Sequence, residues 1–358
     1  MIDLALDRLF EGLTNTALEA TIRAELGSLD TLDAPIDVPG RPRAWARGVE
    51  RVTILSSATT IGVAIPALAF ALCAKSSVTV KDRSDGLVAA FVATLGEERP
   101  EILDAVTVKA WVGGDDAIER EAIEHADVVL VFGNDDTVRT VRAKCAADAS
   151  VVSFGNRASA GYVGADALGG DLRVLADAIA LDALLYDGDG CLSLHLLFVE
   201  ANEERCKPLV EALGTACARV AVDFPMGVRS AQRSATTVQY ANAAAFRAAN
   251  GHGSVVRSPD GHWSVILAPP RADMPPLGGG TIPIYPIENL ADACEFLSTH
   301  RIPLQAIGIA GNVDPCAIAT ELGAVRVAPI GRLQDPPLAG HHGGRARIAD
   351  FIRWIVFA

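Results

Sequence analysis

The chain predicts an α/β fold of two domains, and three observations carry that prediction. Its 358 residues exceed the usual size of a single domain, so two cores are expected. Half of the residues are apolar, which supplies the burial that two cores need. From residue 52 onward, short apolar runs of strand length alternate with segments of helical length. That rhythm implies a parallel sheet covered by helices, with ligands at the carboxyl ends of its strands.

Residues 4–27 carry apolar side chains at helical spacing, and 29–43, rich in Pro, Asp and Gly, read as irregular. A strand is expected at 52–55, a buried helix at 61–74 and a strand at 78–81 that ends on Lys81. Helix 86–95, strand 106–111, helix 115–125, strand 127–132, helix 135–147 and strand 150–154 continue the alternation. A helix at 171–184 leads into the turn Asp187-Gly188-Asp189-Gly190-Cys191, followed by strand 194–200 and helix 203–215. An Ala-rich helix is expected at 237–249, then shorter strands at 264–267 and 281–286 with a Pro-rich connection at 269–276. A helix at 288–298, strands at 304–309 and 325–328, and an amphipathic piece at 347–356 close the chain. The boundary is drawn just before the Cys191 turn, giving domains 1–185 and 186–358. It sets the thiol in a cleft between them, where substrate sites commonly form.

Composition narrows the function. The formal net charge is -13 and no Lys/Arg block exists to neutralise phosphates, which argues against nucleic-acid binding. Seven cysteines are an odd number, and no CxxC pair is present, so neither a disulfide framework nor a zinc knuckle is indicated. A reducing, cytoplasmic location is expected. Residues 1–7 lack the basic start and apolar core of a signal peptide, and the longest apolar stretch, 62–74, is too short to span a bilayer.

Cys191 is the leading candidate for chemistry. It follows a glycine-rich turn and opens an apolar run, so both a substrate and backbone N–H groups can approach its thiol. The other six cysteines read as small buried hydrophobes, and a buried structural role is the alternative for Cys191 itself. As a nucleophile it would attack an acyl or aldehyde carbon and form a thioester, with backbone N–H groups as the oxyanion pocket. Reduction of that thioester would need a nicotinamide held on the sheet domain. Strand 127–132 delivers the chain into Gly133-Asn134-Asp135-Asp136-Thr137. Such a turn either receives a phosphate at the following helix or is an ordinary N-cap with acidic dipole partners; Asp135 and Asp136 have the wrong sign for phosphate. Lys81 either reaches a nucleotide ribose or stays solvated. His195 reads as a packed histidine, His341-His342 lacks the ligands that would complete a metal set, and His252 reads as a turn residue.

Several of these segments resemble one known family. They are the strand end at 78–84, the strand-glycine-helix unit at 126–139, the Asp187-to-Cys191 turn, Tyr285-Pro286, the run at 308–311, the run at 329–337, His341-His342-Gly343-Gly344-Arg345 and the final Arg353-Trp354. From about residue 52 to the end the chain resembles the aldehyde dehydrogenase superfamily, and within it the acyl-CoA reductase branch called LuxC. The resemblance implies an aldehyde dehydrogenase-like α/β fold, with a Rossmann-type cofactor domain and a second α/β catalytic domain whose C-terminal segment returns. It implies that Cys191 is the acyl-accepting nucleophile and that Lys81 and Ser84 contact the adenosine ribose. Gly133 and Asn134 would line the pyrophosphate and nicotinamide channel, with Thr137, Ser153 and Gly155 as further cofactor contacts. Ser84 in place of an acidic residue would admit NADPH, with NADH as the alternative.

Two departures from the family pattern stand out. Ala58 occupies the place of an oxyanion-binding Asn, a loss of about 3 kcal/mol of transition-state stabilisation unless Ser57 or Thr59 substitutes. Ser153 stands where oxidising members have a glutamate base, which weakens water activation and suits the reductive direction. The reaction that the resemblance implies is attack of Cys191 on an acyl-CoA, by family a fatty acyl-CoA, departure of CoA, and hydride delivery from NAD(P)H to release an aldehyde. The alternatives are a CoA-acylating aldehyde dehydrogenase and a catalytically impaired acyl-binding partner subunit, the latter favoured by Ala58 and the acidic turn. The expected assembly is a homodimer that meets acyl-CoA or an acylated carrier, with no metal, nucleic acid or membrane span.

Overall fold

Two sheets organise the chain, each at the centre of its own unit. The computed structural model describes residues 2–37, 40, 42–57, 59–83, 86–111, 116–269 and 274–357, so Ala58 and Ser84 lie outside the described residues. One unit comprises Ile2–Asn156 and Pro337–Ala358, and the other Arg157–Pro336.

The first unit begins with α1 (Ile2–Gly12), α2 (Asn15–Leu26), β1 (Ala44–Gly48) and β2 (Arg51–Leu55). It continues through α3 (Ala64–Cys73), β3 (Ser77–Lys81), α4 (Leu87–Glu98), α5 (Glu101–Ala105), β4 (Val106–Lys109), α6 (Asp116–Glu124), β5 (Val128–Phe132), α7 (Asp135–Lys144) and β6 (Ser150–Phe154). The sheet order is β4-β3-β2-β5-β6, with every pair parallel. All five residues of β5 are buried, as a strand covered on both faces requires, and their unbroken Val/Leu/Phe run satisfies that demand. Sheet growth reverses between β2 and β5, which creates a switch point at the ends of those strands.

The second unit holds β7 (Ala158–Val163), α8 (Leu172–Leu184), β8 (Leu194–Glu200), α9 (Glu203–Asp223), α10 (Ala231–Ala249), β9 (Ser254–Arg257), β10 (Ser264–Leu267) and β11 (Thr281–Ile287). It closes with α11 (Leu290–His300), β12 (Leu304–Ala310), α12 (Pro315–Leu322) and β13 (Val327–Pro329). These strands form one sheet, β13-β12-β7-β8-β11-β10-β9, parallel except for the antiparallel edge strand β9. Leu197, Ile284, Val265 and the α9 residues Leu209, Val210 and Leu213 share one apolar cluster of this unit. Phe198, Tyr285 and Phe296 belong to another.

The chain then returns to the first unit as β14 (Ile352–Val356), which pairs antiparallel with β1. The Glu25 carboxylate docks this return by accepting the N–H groups of Arg347 (2.7 Å), Ile348 (2.9 Å) and Ala349 (3.0 Å). Trp354, Ile355, Val356 and Phe357 remain exposed along the returning strand. Among the described residues no helix is long and apolar enough to cross a membrane.

The alternation expected from residue 52 is present, and the strands it did not anticipate include β1, β7 and β9. β7 reads Ala-Ser-Ala-Gly-Tyr-Val, a small-residue string without the β-branched signature of a strand, yet every residue is buried. Its smallness has a packing reason, because a Cβ on Gly161 would lie 2.6 Å from Leu197 Cδ1. Since β7 sits between β12 and β8, residues 157–185 belong with the second sheet, and the division falls at 156/157 rather than 185/186. The second half of the final piece at 347–356 is strand, held by pairing with β1 some 300 residues earlier.

Gly48 shows how tightly the first unit is closed. A Cβ there would lie 1.7 Å from the Ala74 carbonyl oxygen and 2.8 Å from its carbon, backbone atoms that cannot step aside. Gly48→Ala is expected to cost about 3 kcal/mol, read as a lower urea midpoint at unchanged slope.

Candidate active site

The turn that carries Cys191 is built under strain. Past the end of α8, Tyr186, Asp187 and Gly188 take φ values of +56°, +58° and +68°, three left-handed residues in succession. For Tyr and Asp that conformation costs about 1 kcal/mol or more each, so the surroundings must hold it. Asp187 Oδ1 accepts the N–H of Gly227 (2.9 Å). Asp189 Oδ1 accepts the N–H of Gly279 (3.0 Å) and pairs with the Arg233 guanidinium, which also donates to Leu277 O (2.5 Å). Gly278, Gly279 and Gly280 have φ of +86°, +61° and +69°. A Cβ on Gly278 would fall 2.5 Å from Asp189 Oδ1 and 2.6 Å from Gly188 O, so only glycine lets the two loops meet. The acidic residues of the turn are tethers.

Cys191 itself is exposed. Its carbonyl accepts the Ser159 hydroxyl (2.7 Å), and Ser193 N–H closes the turn onto Gly190 O (2.9 Å). Protein packed around the sulfur pushes the thiol pKa above its ordinary value, while the N–H groups of Cys191 and Leu192 pull it down. Those two donors are the oxyanion candidates that the glycine-rich turn suggested. Of the other cysteines, Cys206 and Cys217 are buried and Cys73, Cys145 and Cys294 are half-buried. Cys316 departs from the expectation of burial, because the first turn of α12 leaves it exposed.

His195 is buried and packed, as expected. Its Nδ1 accepts the Ser159 N–H (3.1 Å). Burial pushes its pKa down to about 4; Asp189 and the Gly188 backbone oppose that shift and Arg233 adds to it. A neutral imidazole committed to Ser159 is not a base for Cys191.

The residues singled out in the first unit gather at the carboxyl ends of its strands. After β2, Ser57 Oγ and Thr59 Oγ1 lie 2.7 Å apart, and Ser57 Oγ accepts the Thr59 N–H (3.1 Å). After β5, Asn134 Oδ1 caps α7 by accepting the Thr137 N–H (2.8 Å), which is the N-cap arrangement. A Cβ on Gly133 would press on Thr137 Cγ2 at 3.1 Å. Both acidic residues of the turn have partners. Asp135 Oδ1 accepts the Asn156 N–H (3.0 Å), and Asp136 pairs with Arg139 (2.7 Å). Gly155 makes the first contact possible, since a Cβ there would lie 2.3 Å from Asp135 Oδ1. Ser153, near the end of β6, is half-buried.

Lys81 is buried at the end of β3 and not solvated. Its ammonium lies 3.6 Å from Glu119 and 4.6 Å from the centre of the Trp111 ring, and Glu119 also binds Lys144 at 2.7 Å. Burial lowers the Lys81 pKa and Glu119 raises it back. Trp111 Nε1 is buried without a hydrogen-bond partner among the described residues. His342 packs edge-on against the stacked rings of Phe132 and Phe154, and burial pushes its pKa down to about 4. Among the described residues no group of three His, Cys, Asp or Glu is arranged to hold a metal. A dinucleotide suits this strand end better. The α7 N-terminus offers backbone N–H donors, its two carboxylates are already engaged, and the Ser57 and Thr59 hydroxyls and the orphaned Trp111 N–H add further donors.

A family model described as acyl-CoA reductase (LuxC) matches residues 1–354. The chain belongs to the LuxC acyl-CoA reductase family. That membership makes it an oxidoreductase of the aldehyde and acyl-CoA class. No curated protein matches the chain. Among solved structures, it is similar to a mutant of the indole-3-acetaldehyde dehydrogenase AldA of P. syringae in complex with NAD+ and IAA. The identity is 17% and the TM-score 0.68, over 99% of this chain and 80% of that one. It is similar to aldehyde dehydrogenase 21 of Physcomitrella patens in complex with the reaction product succinate, at 13% identity and a TM-score of 0.69, over 99% and 82%. It is also similar to a mutant of aldehyde dehydrogenase C of Pseudomonas syringae with NAD+ and octanal, at 13% identity and a TM-score of 0.67, over 90% and 71%. These likenesses establish the expected aldehyde dehydrogenase-like α/β fold.

Ser159, Arg233 and the Gly278-to-Gly280 run escaped the sequence reading, although all support the Cys191 turn. Three consecutive glycines were the one local signal available. The His195 environment has a measurable signature. The folded state keeps the imidazole neutral down to about pH 4, whereas the unfolded chain takes up the proton near 6.5, so stability falls as pH drops between those values. In His195→Asn, whose amide oxygen can still accept the Ser159 N–H, the urea midpoint should fall less steeply between pH 7 and 5 than in the parent.

Proposed function

We propose that the protein reduces an acyl-CoA, with a fatty acyl chain, to the aldehyde through a thioester on Cys191, using NADPH and accepting NADH. The observation that carries this reading is the exposed residue Cys191, whose protein-packed sulfur is faced by two backbone N–H groups, in a chain of the acyl-CoA reductase family. In the first step Cys191 loses its proton and its sulfur attacks the thioester carbon. The N–H groups of Cys191 and Leu192 offset negative charge near the sulfur, and Ser57 or Thr59 would substitute for the oxyanion-binding Asn that the resemblance expects at Ala58. The bond to the CoA sulfur then breaks, CoA leaves with a proton, and the acyl group stays on Cys191. A serine at position 153 supplies no carboxylate base to activate water, so the thioester persists until it is reduced.

In this reading the unit of Ile2–Asn156 and Pro337–Ala358 holds the cofactor and Arg157–Pro336 carries the nucleophile. Lys81, Ser84, Gly133, Asn134, Thr137, Ser153 and Gly155 would hold the dinucleotide. A reduced nicotinamide, when bound, supplies the two electrons and the hydrogen that convert the thioester carbon to an aldehyde. Two of the structural relatives are described with NAD+ bound, and one of those with octanal, which supports a nicotinamide cofactor and an aliphatic product. The exposed apolar run Trp354-Ile355-Val356-Phe357 supports a homodimer, and seven unpaired cysteines support a reducing, cytoplasmic setting. An acylated carrier could replace acyl-CoA as donor. One second reading remains: Ala58, in place of the oxyanion-binding Asn, suits an acyl-accepting subunit without reductase activity.

Incubation with acyl-CoAs of graded length, followed by intact mass, tests the reaction. Acylation of the parent but not of Cys191→Ser, discharged as aldehyde when NADPH is added, is the expected result. Stable acylation that NADPH cannot discharge would favour the subunit reading, and a folded protein that never acquires an acyl group would end both. Because burial raises the thiol pKa and only the thiolate attacks, the acylation rate should climb about tenfold per pH unit from 7 and still be rising at pH 9.

A further inference from the structure

The run at 329–337 is distinctive in sequence, yet no step of the proposed reaction uses it. The structure grips this segment from two sides. From α8, the buried Asp182 accepts the N–H of Gly331 on Oδ2 (2.5 Å) and of Leu333 on Oδ1 (3.1 Å). Arg326 donates through Nη1 to Leu333 O (2.8 Å) and through Nη2 to Arg332 O (3.0 Å) and Asp335 O (3.1 Å). Gly331, at φ +91°, lies so close to α8 that a Cβ would come 3.0 Å from that of Ala178. Burial pushes the Asp182 pKa up to about 6, against the Gly331, Leu333 and Gln334 backbone donors and the Arg326 charge that pull it down.

The gripped segment delivers Gln334, which is also buried. Its Nε2 donates to Asp182 O (3.1 Å) and to Ser193 Oγ (2.8 Å). Its Oε1 lies against Gly190, 3.8 Å from where a Cβ would stand. Gly190 and Ser193 flank the reactive cysteine and are bonded to each other across the turn. Gln334 therefore binds one end of the four-residue loop that presents the sulfur, at Ser193, and its Oε1 sits beside the other end at Gly190.

We propose that Asp182 and Gln334 are positioning residues for Cys191. Asp182 fixes the 331–334 backbone, Gln334 fixes the loop from Gly190 to Ser193, and the N–H groups of Cys191 and Leu192 thereby stay aimed at the sulfur. This rests on the reading of Cys191 as the acyl acceptor. A glutamine serves the purpose because it reaches the Ser193 hydroxyl with a neutral donor and adds no negative charge beside a thiolate.

Site-resolved alkylation of the full chain by iodoacetamide between pH 7 and 10, quantified by peptide mass spectrometry with the exposed Cys316 as internal standard, is the test. Gln334→Ala and Asp182→Asn should each slow Cys191 alkylation about tenfold at pH 7 and move its pH profile to higher pH, with Cys316 unchanged. Asp166→Asn controls for a general loss of stability. That carboxylate accepts the Asn312 N–H (3.0 Å to Oδ2) and has no bond to the Cys191 turn. A Cys191 profile unchanged in Gln334→Ala, or shifted as far by Asp166→Asn, overturns the proposal while leaving the acyl-acceptor reading intact. A Cys191 that resists alkylation in the parent protein at every pH overturns both.

Discussion

Holding the backbone of the Cys191 turn in the left-handed region is the constraint on which the second unit depends. Tyr186, Asp187 and Gly188 would relax if released, and the restraints come from every direction. Asp189 is held by the Gly279 amide and the Arg233 guanidinium, Asp187 by the Gly227 amide, and the Cys191 carbonyl by Ser159. These partners belong to β7, α10 and the loops that precede α10 and β11. The parallel sheet brings them to one place, because Ser159 near the start of β7 lies in register with Leu194 at the start of β8. Strain of this kind persists only where the surroundings over-determine it, and here they do.

The electrostatics around the thiol follow from the same packing. His195 is neutral and committed to Ser159, so the turn has no imidazole to withdraw the thiol proton. Burial of the sulfur disfavours the thiolate, and two backbone N–H groups offset part of that cost without a proton acceptor. Such an arrangement suits thioester exchange. In the proposed reaction the attacking and departing groups would both be thiols, so the step would be near balance and would ask less of a strong general base than amide or ester cleavage does. Geometry rather than acid-base pairing then sets the reactivity of Cys191.

In the first unit, charge at the strand ends is settled within the protein. Asp135 and Asp136, which as bare sequence repel a phosphate, are engaged by the Asn156 amide and by Arg139. Lys81, which as bare sequence is free to reach solvent, is paired with Glu119 beneath Trp111. A strongly acidic chain can keep the end of a parallel sheet hospitable to an anion in this way, by spending its local carboxylates on nearby amides and cations.

Local pattern made much of this legible in advance. The Val/Leu/Phe run of β5 reads as a buried parallel strand, β8 and β10 fall where their apolar runs lie, and the glycine-rich turn before Cys191 singled that thiol out. The amide cap at Asn134 was likewise readable, because a cap and its target are three residues apart. β7 was not, since its Ala, Ser and Gly are chosen for the neighbours they must admit rather than for strand propensity. Nor were the partners of the Cys191 turn: Ser159 bonds it from 32 residues away, Arg233 from 44 and Gln334 from 141. By itself the sequence determined most of the order of helices and strands and singled out Cys191 as the candidate thiol, because periodicity and turn chemistry act over a few residues. Only the tertiary structure decided that the boundary falls at Asn156, that Lys81 is buried and which groups hold the thiol, because burial and long-range hydrogen bonding are properties of neighbours that the chain meets only once folded.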